Sequence, residues 1–169
     1  MESFWEQVHE AELRQGDYLL NCPVPLLSPI PNGKEEVIVQ EYNMVVMTQS
    51  CDLAHTKASF VALCPIYLLP EYEQVNPQFV RKGEWENVRK GRVEGLHMLG
   101  ALNNPANNRG SLVVDFREIY SLPFGFLSRH AEQQGERWRL QSPFLEHFSQ
   151  AFARFFMRVG LPSAIPPFK

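Results

Sequence analysis

The chain has 169 residues, 44% of them hydrophobic and 21% charged, with a formal net charge of −3. That size and balance fit one globular domain with a real core and exclude a global basic field that would draw nucleic acid, while leaving a local basic patch open. No apolar run reaches the roughly 18–20 residues that span a bilayer, and the acidic, amphipathic start Met1-Glu2-Ser3-Phe4-Trp5-Glu6 does not read as a secretory signal. Cys22, Cys51 and Cys64 form no disulfide framework, so a reduced, cytoplasmic setting without a membrane partner is expected.

In chain order, Phe4, Trp5, Val8 and Leu13 make an apolar stripe that predicts a short helix over 3–14, stopped by Gly16. Asp17 to Cys22 reads as a strand, after which Pro23, Pro25, Pro29 and Pro31 are expected to break regular structure up to an Asn32-Gly33 turn. Strands are predicted at Glu36–Gln40, Asn43–Gln49 and Phe60–Tyr67, the last ending near Pro70. Asn76-Pro77 opens a predicted helix to about Arg89, whose charges form a solvated face. Leu96–Leu102 reads as a strand and Asn103–Gly110 as a loop. Leu112–Leu122 supplies one bent strand or two short ones, Phe124–Gln133 a helix, and Glu136–Leu140 a final strand.

The C-terminal helix is expected from Ser142 as N-cap and Pro143 at its first position to Gly160 and Pro162. Phe144, Phe148, Phe152, Phe155 and Val159 recur at helical spacing, widened by Leu145 and Phe156, so this helix should pack over the sheet. The expected architecture is a single α+β domain, 1–169: a bent antiparallel sheet or SH3-like barrel, core about 16–140, flanked by N- and C-terminal helices, the latter 143–159.

The run Met44-Val45-Val46-Met47-Thr48-Gln49-Ser50-Cys51-Asp52 stands apart, because an apolar strand ends abruptly in small polar and ionisable residues. Rigid elements hold functional loops at such ends. Cys51 as a nucleophile would need a base or cation nearby, for which His55 and His97 are candidates, with Thr48 and Asp52 as further catalytic candidates. Cys51, His55 and Cys64, with Cys22 and His97 in reserve, offer soft ligands for zinc, without the paired spacing of a zinc site, so no metal or other cofactor is expected. Alternatively, Cys51 is a small packed residue while Thr48, Ser50 and Asp52 bond a turn and Asp52 caps Leu53–His55. The fourth reading is a ligand- or partner-binding loop without covalent chemistry, using Thr48, Gln49, Ser50 and Asp52.

Asp115 and Arg117 interrupt an apolar context two residues apart, which suggests a buried ion pair or part of the binding surface. Arg154 and Arg158 lie four apart and could pair with Asp115 or Asp52, or form an anion site. Trp85 and Trp138, flanked by Arg81, Arg89, Arg137 and Arg139, could grip single-stranded nucleic acid, which is not the favoured partner. A protein partner or a second copy of the chain is favoured, given the proline-rich segment 22–31, the Phe-rich helix and the tail Ile165–Lys169.

Three motifs share an order: Gly16-Asp17-Tyr18-Leu19-Leu20, the Glu-containing turn Asn32-Gly33-Lys34-Glu35-Glu36, and Met44-Val45-Val46-Met47-Thr48 with its terminal hydroxyl. On these, residues 16–70 resemble the PemK/MazF family of bacterial toxins, small SH3-like barrels that cleave RNA. The resemblance implies a bacterial source, a toxin–antitoxin or defence setting, and Thr48 at a site position. The family's Arg-Pro pair, whose arginine serves cleavage, is replaced here by Asn43-Met44. The expectation is therefore a cytosolic bacterial binding or interaction protein with its site in the loop after strand 44–48. The enzymatic alternative is a Cys51-dependent hydrolase or a degenerate MazF-like ribonuclease.

Overall fold

In the computed structural model, residues 2–29, 35–55, 57–104 and 107–157 are described. The strands among them are β1 (Trp5–Val8), β2 (Tyr18–Pro29), β3 (Glu35–Val46), β4 (Phe60–Leu68), β5 (Leu96–Leu99), β6 (Leu112–Asp115), β7 (Tyr120–Pro123) and β8 (Arg137–Leu140). The helices are α1 (Ser50–Ala54), α2 (Leu69–Val75), α3 (Glu84–Arg89), α4 (Phe124–Gln134) and α5 (Phe144–Phe156).

The main sheet is antiparallel and runs β2-β3-β4-β6-β5. β4 is long enough to serve two neighbours, pairing β7 through Phe60–Leu63 and β6 through Ile66–Leu68. β1 and β8 form a separate ribbon. The described strands do not close into a barrel, which corrects the SH3-like expectation. A physical reason lies in β2, an end strand of the path, because prolines 23, 25 and 29 share one parity along it. That parity must turn away from β3 if the ladder between them is to hold, so the outer edge lacks three donors that a closing strand would need.

Both faces of the central sheet are covered, which explains why residues 44–47 are continuously apolar. Val45 and Met47 join Cys64, Ile66, Val114 and Phe116 on one face, roofed by Phe148 and its neighbours on α5. Met44 and Val46 join Leu19, Val61 and Leu63 on the other, roofed by Leu53 of α1 and by Leu127 and Ala131 of α4. A third cluster packs Tyr72, Phe79 and Val88 against Leu96 and Val113. The Phe stripe of α5 therefore does face the sheet, except that Phe156 is 57% exposed.

Several elements differ from expectation. The helix predicted over 3–14 is absent: Trp5–Val8 is a strand on β8, and residues 9–14 are irregular. Their carbonyls are not free for a helix, because the buried guanidinium groups of Arg137 and Arg139 take those of Glu10 and Glu12. The prolines after Cys22 do not end β2, since an end strand tolerates them. The two strands expected at 36–40 and 43–49 are one, β3. The helix expected over 76–89 is a 3-10 turn at Pro77–Val80 and the short α3, separated where Gly83 takes the left-handed φ of 95°, and the unexpected helix α2 precedes them. Ser142 is not the N-cap of α5, which is Pro143. Residues 112–122 resolve into the two short strands β6 and β7. The expected Asn32-Gly33 turn, Arg158, Val159, the Gly160–Pro162 stop and the tail 165–169 lie outside the described residues. No described helix is long and apolar enough to cross a membrane.

Candidate functional site

The polar ending of β3 is a structural corner. Thr48 Oγ1 accepts the amide of Ala62 at 2.8 Å, and Met47 N donates to the Ala62 carbonyl at 2.9 Å, so the hydroxyl extends the ladder by one rung. Ser50 Oγ accepts the amide of Gln15 at 3.1 Å, while Gln15 Nε2 donates to the Met47 carbonyl and to Ser149 Oγ on α5. Gln49 is the N-cap of α1, so residues 50–54 are a short helix and not a loop, and Asp52 lies inside it instead of capping it. The hydroxyls of Thr48 and Ser50 are thus committed inward, leaving Gln49, Cys51 and Asp52 to face outward.

Cys51 is exposed and lines a groove of about 440 Å³ with Leu13, Leu53, Phe124 and Ser128. Its sulfur lies 3.7 Å from Gln49 Oε1 and 3.9 Å from Asp52 Oδ1, both acceptor oxygens. Thiolate activation calls instead for a cation or an imidazole. His97, one expected base, is on the other face of the sheet, stacked on Phe116 beneath α5. His55 is exposed just past α1.

Cys64 is buried in the core, where burial pushes its thiol up to about 12, and burial alone raises Cys22 to about 11. Cys51, His55 and Cys64 are not gathered into a site, and no group of three or more His, Cys, Asp or Glu among the described residues could hold a metal ion.

Asp115 and Arg117 do pair, though by a different geometry from a shared strand face. β6 ends at Asp115, and the turn brings Arg117 back so that its amide and Nε both donate to Asp115 Oδ1, at 3.0 and 2.8 Å. Tyr72 Oη donates to Asp115 Oδ2 at 2.9 Å and accepts from Arg117 Nη2. Burial pushes the Asp115 carboxyl up, but the bonds from Arg117 and Tyr72 outweigh this and hold it below its ordinary value. Glu118, which accepts from Tyr67 Oη, is raised by burial. The aspartate is buried and the arginine half-exposed, so the cluster locks the turn after β6.

A second charged cluster carries more structure than any the sequence pointed to. Asp17 is fully buried and accepts Arg137 Nε at 2.9 Å and Arg139 Nε at 2.5 Å. Arg139 also reaches Glu10 Oε2 at 2.9 Å. Two arginines, two carboxylates and the carbonyls of Glu10 and Glu12 thus satisfy one another and fasten residues 9–14 onto β8. The available signal was Arg137-x-Arg139, two guanidinium groups on one face of a short strand. Burial keeps Arg137 and Arg139 from gripping a nucleic-acid strand, the partner that was not favoured. Trp85 is likewise committed, with Nε1 donating to Glu73 at 2.8 Å and its ring against Tyr72 and Phe79.

Among the described residues, two further surfaces are open besides the Cys51 groove. The first is the distal half of the β2–β3 pair, where Leu27 stands opposite Val37 and Pro25 opposite Val39. These four share a face, and Leu27, Val37 and Val39 are 70%, 64% and 67% exposed. The second is a cleft of about 510 Å³ between α5 and the segment from α3 to β5, containing His97, His147 and Arg154. No protein-family model matches the chain, and neither a curated protein nor a solved structure does.

Proposed function

We propose that this chain is a cytosolic interaction protein that grips a protein partner with the exposed face of the β2–β3 arm, the Thr48–Asp52 corner anchoring the arm to the body. The observation that supports it is the run Leu27, Val37 and Val39, three large apolar side chains left in water on one face of a paired ribbon. A single exposed apolar residue is ordinary; a cross-strand cluster of them is typical of contact surfaces. Glu35 and Glu41 bracket the face on β3, and neither β2 nor β3 contains a lysine or arginine. Charge complementarity therefore favours a partner with an apolar strip framed by basic side chains over a second copy of the same acidic face. Partner strand addition at β2 is disfavoured by the prolines on its outer edge. The bacterial toxin–antitoxin or defence setting rests on the resemblance of residues 16–70.

The test is isolation of the complex from the source cells, followed by titration of the purified partner into wild type and into a variant carrying Val37→Lys and Val39→Lys. The variant should lose binding at least tenfold, about 1.4 kcal/mol, while Glu35→Lys with Glu41→Lys should weaken it most at low salt. Equal affinity of wild type and the double-lysine variant would sink the proposal. The rival enzymatic reading is favoured only by the exposed Cys51 in its groove. Incubation of RNA with wild type and Thr48→Ala, and alkylation of Cys51 near neutral pH, address it: no cleavage and an inert thiol end it.

A further inference from the structure

We propose that the cleft between α5 and the α3–β5 segment is a binding site for a small organic anion, a phosphate monoester or carboxylate attached to an aromatic or branched apolar body. The volume, about 510 Å³, is that of a small-molecule site. One wall is apolar: Leu96, Phe116 and Phe155 line it, and Phe116 stacks on His97 with ring centroids 6.0 Å apart. The polar groups converge from two elements, His97 from β5 and His147 with Arg154 from α5, so an anionic head would sit across the gap between strand and helix. Arg89 and Lys90 stand at the rim, both paired with Glu86, at 2.7 and 2.9 Å, and Glu94 is the acidic group of the lining.

The backbone keeps the cleft open at one point. Gly95 has φ +82°, and a Cβ there would fall 3.1 Å from Arg117 Cγ and 3.2 Å from Phe155 Cε2. A side chain at this position would displace the wall that the apolar body needs. Burial, with a smaller contribution from the neighbouring His147, lowers the His97 imidazole to about 4. An anionic head would take its countercharge from Arg154 and hydrogen bonds from the ring N–H groups of His97 and His147, and the charge contribution is one that neutral ligands lack. The arrangement is independent of the β2–β3 arm, so its success or failure leaves the partner proposal untouched.

The experiment uses the full chain and four probes: phenyl phosphate, benzoate, inorganic phosphate and benzyl alcohol. Ring signals of His97 and His147 are followed by NMR. Saturable shifts with phenyl phosphate or benzoate are expected, at least about tenfold tighter than with inorganic phosphate or benzyl alcohol. Which of the two organic anions binds better distinguishes a phosphate from a carboxylate ligand. Arg154→Gln, an exposed position that should not perturb folding, should weaken the organic anions about tenfold and leave benzyl alcohol unchanged. No saturable shift at either histidine, or equal affinity for the neutral and anionic aromatic probes, would overturn the proposal. Equal affinity for inorganic phosphate would do so too, because it would show a charged rim and no shaped cleft.

Discussion

The two halves of β3 hold the same kinds of residue in opposite environments. Met44, Val45 and Val46 are fully buried, whereas Val37 and Val39, a few residues earlier in the same strand, are about two-thirds exposed. Intrinsic strand preference does not separate them. The inner half lies between β2 and β4 with a helix-roofed core on each face; the outer half pairs with β2 alone. Hydrophobic side chains stabilise the fold only where further layers cover them, so the outer valines contribute little to it and remain available for contact. The inner half is anchored at its base by polar clusters, and these give the sharpest ways to break the body while leaving the arm untouched.

The largest effect belongs to Asp17. It bridges Arg137 and Arg139 in a fully buried setting, so Asp17→Asn leaves two guanidinium groups short of one countercharge with little change of shape. Breaking one partner of a buried ion network costs about 3–5 kcal/mol. Urea unfolding should show that loss, with residues 9–14 becoming open to proteolysis. A loss below about 1 kcal/mol would mean that the carbonyls of Glu10 and Glu12 suffice to hold both arginines.

Next comes the direct comparison along β3. Met44→Ala should destabilise by about 2–5 kcal/mol through lost burial and the cavity left behind. Val39→Ala should stay within about 0.5 kcal/mol. Similar unfolding midpoints for the two variants would show that the outer half is covered in solution.

His97 supplies a pH-dependent effect of intermediate size. Its folded value, about 4, lies below the ordinary 6.5. The unfolded chain therefore binds the proton more readily, and the stability contributed by the neutral ring is present above pH 6.5 and lost as pH falls towards 4. Between pH 7 and pH 5 the loss is about 2 kcal/mol. The titratable and charged groups around the cleft are His147 and Arg154 on α5, Arg89, Lys90 and Glu94 from the α3–β5 segment, and Arg117 with Asp115 at the end of β6. His97→Phe, which keeps a ring against Phe116 and Phe148, should remove this part of the acid sensitivity and leave the carboxylate part. Parallel stability–pH curves for wild type and variant would refute it.

The sequence exposed elements with a strong local period and missed those whose form depends on distant partners. The Phe repeat of α5, the helix at 124 and the short strands after Leu112 were legible because their apolar spacing matches their element. Residues 3–14 were misread because Trp5 and Val8 have helical spacing, yet Trp5 Nε1 bonds the Gly100 carbonyl, 95 residues away, and Arg137 and Arg139 take the carbonyls a helix would use. Prolines 23, 25 and 29 read as breakers because nothing local says that β2 lies at the end of the sheet. At the corner, the change from apolar to polar residues was visible in the sequence, but the partners of Thr48 and Ser50 are Ala62 and Gln15, neither adjacent in sequence. The Asp115–Arg117 pair was readable because both members are two residues apart.

The smallest expected change in stability is at the arm itself, and it decides whether the outer half of β3 is a free surface. Val37→Lys with Val39→Lys replaces two exposed apolar side chains on the face that also carries Leu27. Lysine has a weaker strand preference than valine, a difference of a few tenths of a kcal/mol at an exposed position. It also adds two positive charges between Glu35 and Glu41 on the same face of the same strand, which offsets part of that cost. The net change should lie within about 0.5 kcal/mol of zero, read as an unaltered urea midpoint and slope. If the arm instead folds onto the body or onto a second copy, burying the two lysines would destabilise the protein well beyond that, or make the midpoint depend on protein concentration. Unchanged stability together with lost partner affinity is the combination that separates a contact surface from a piece of core, because the same two side chains then matter to the complex and not to the fold.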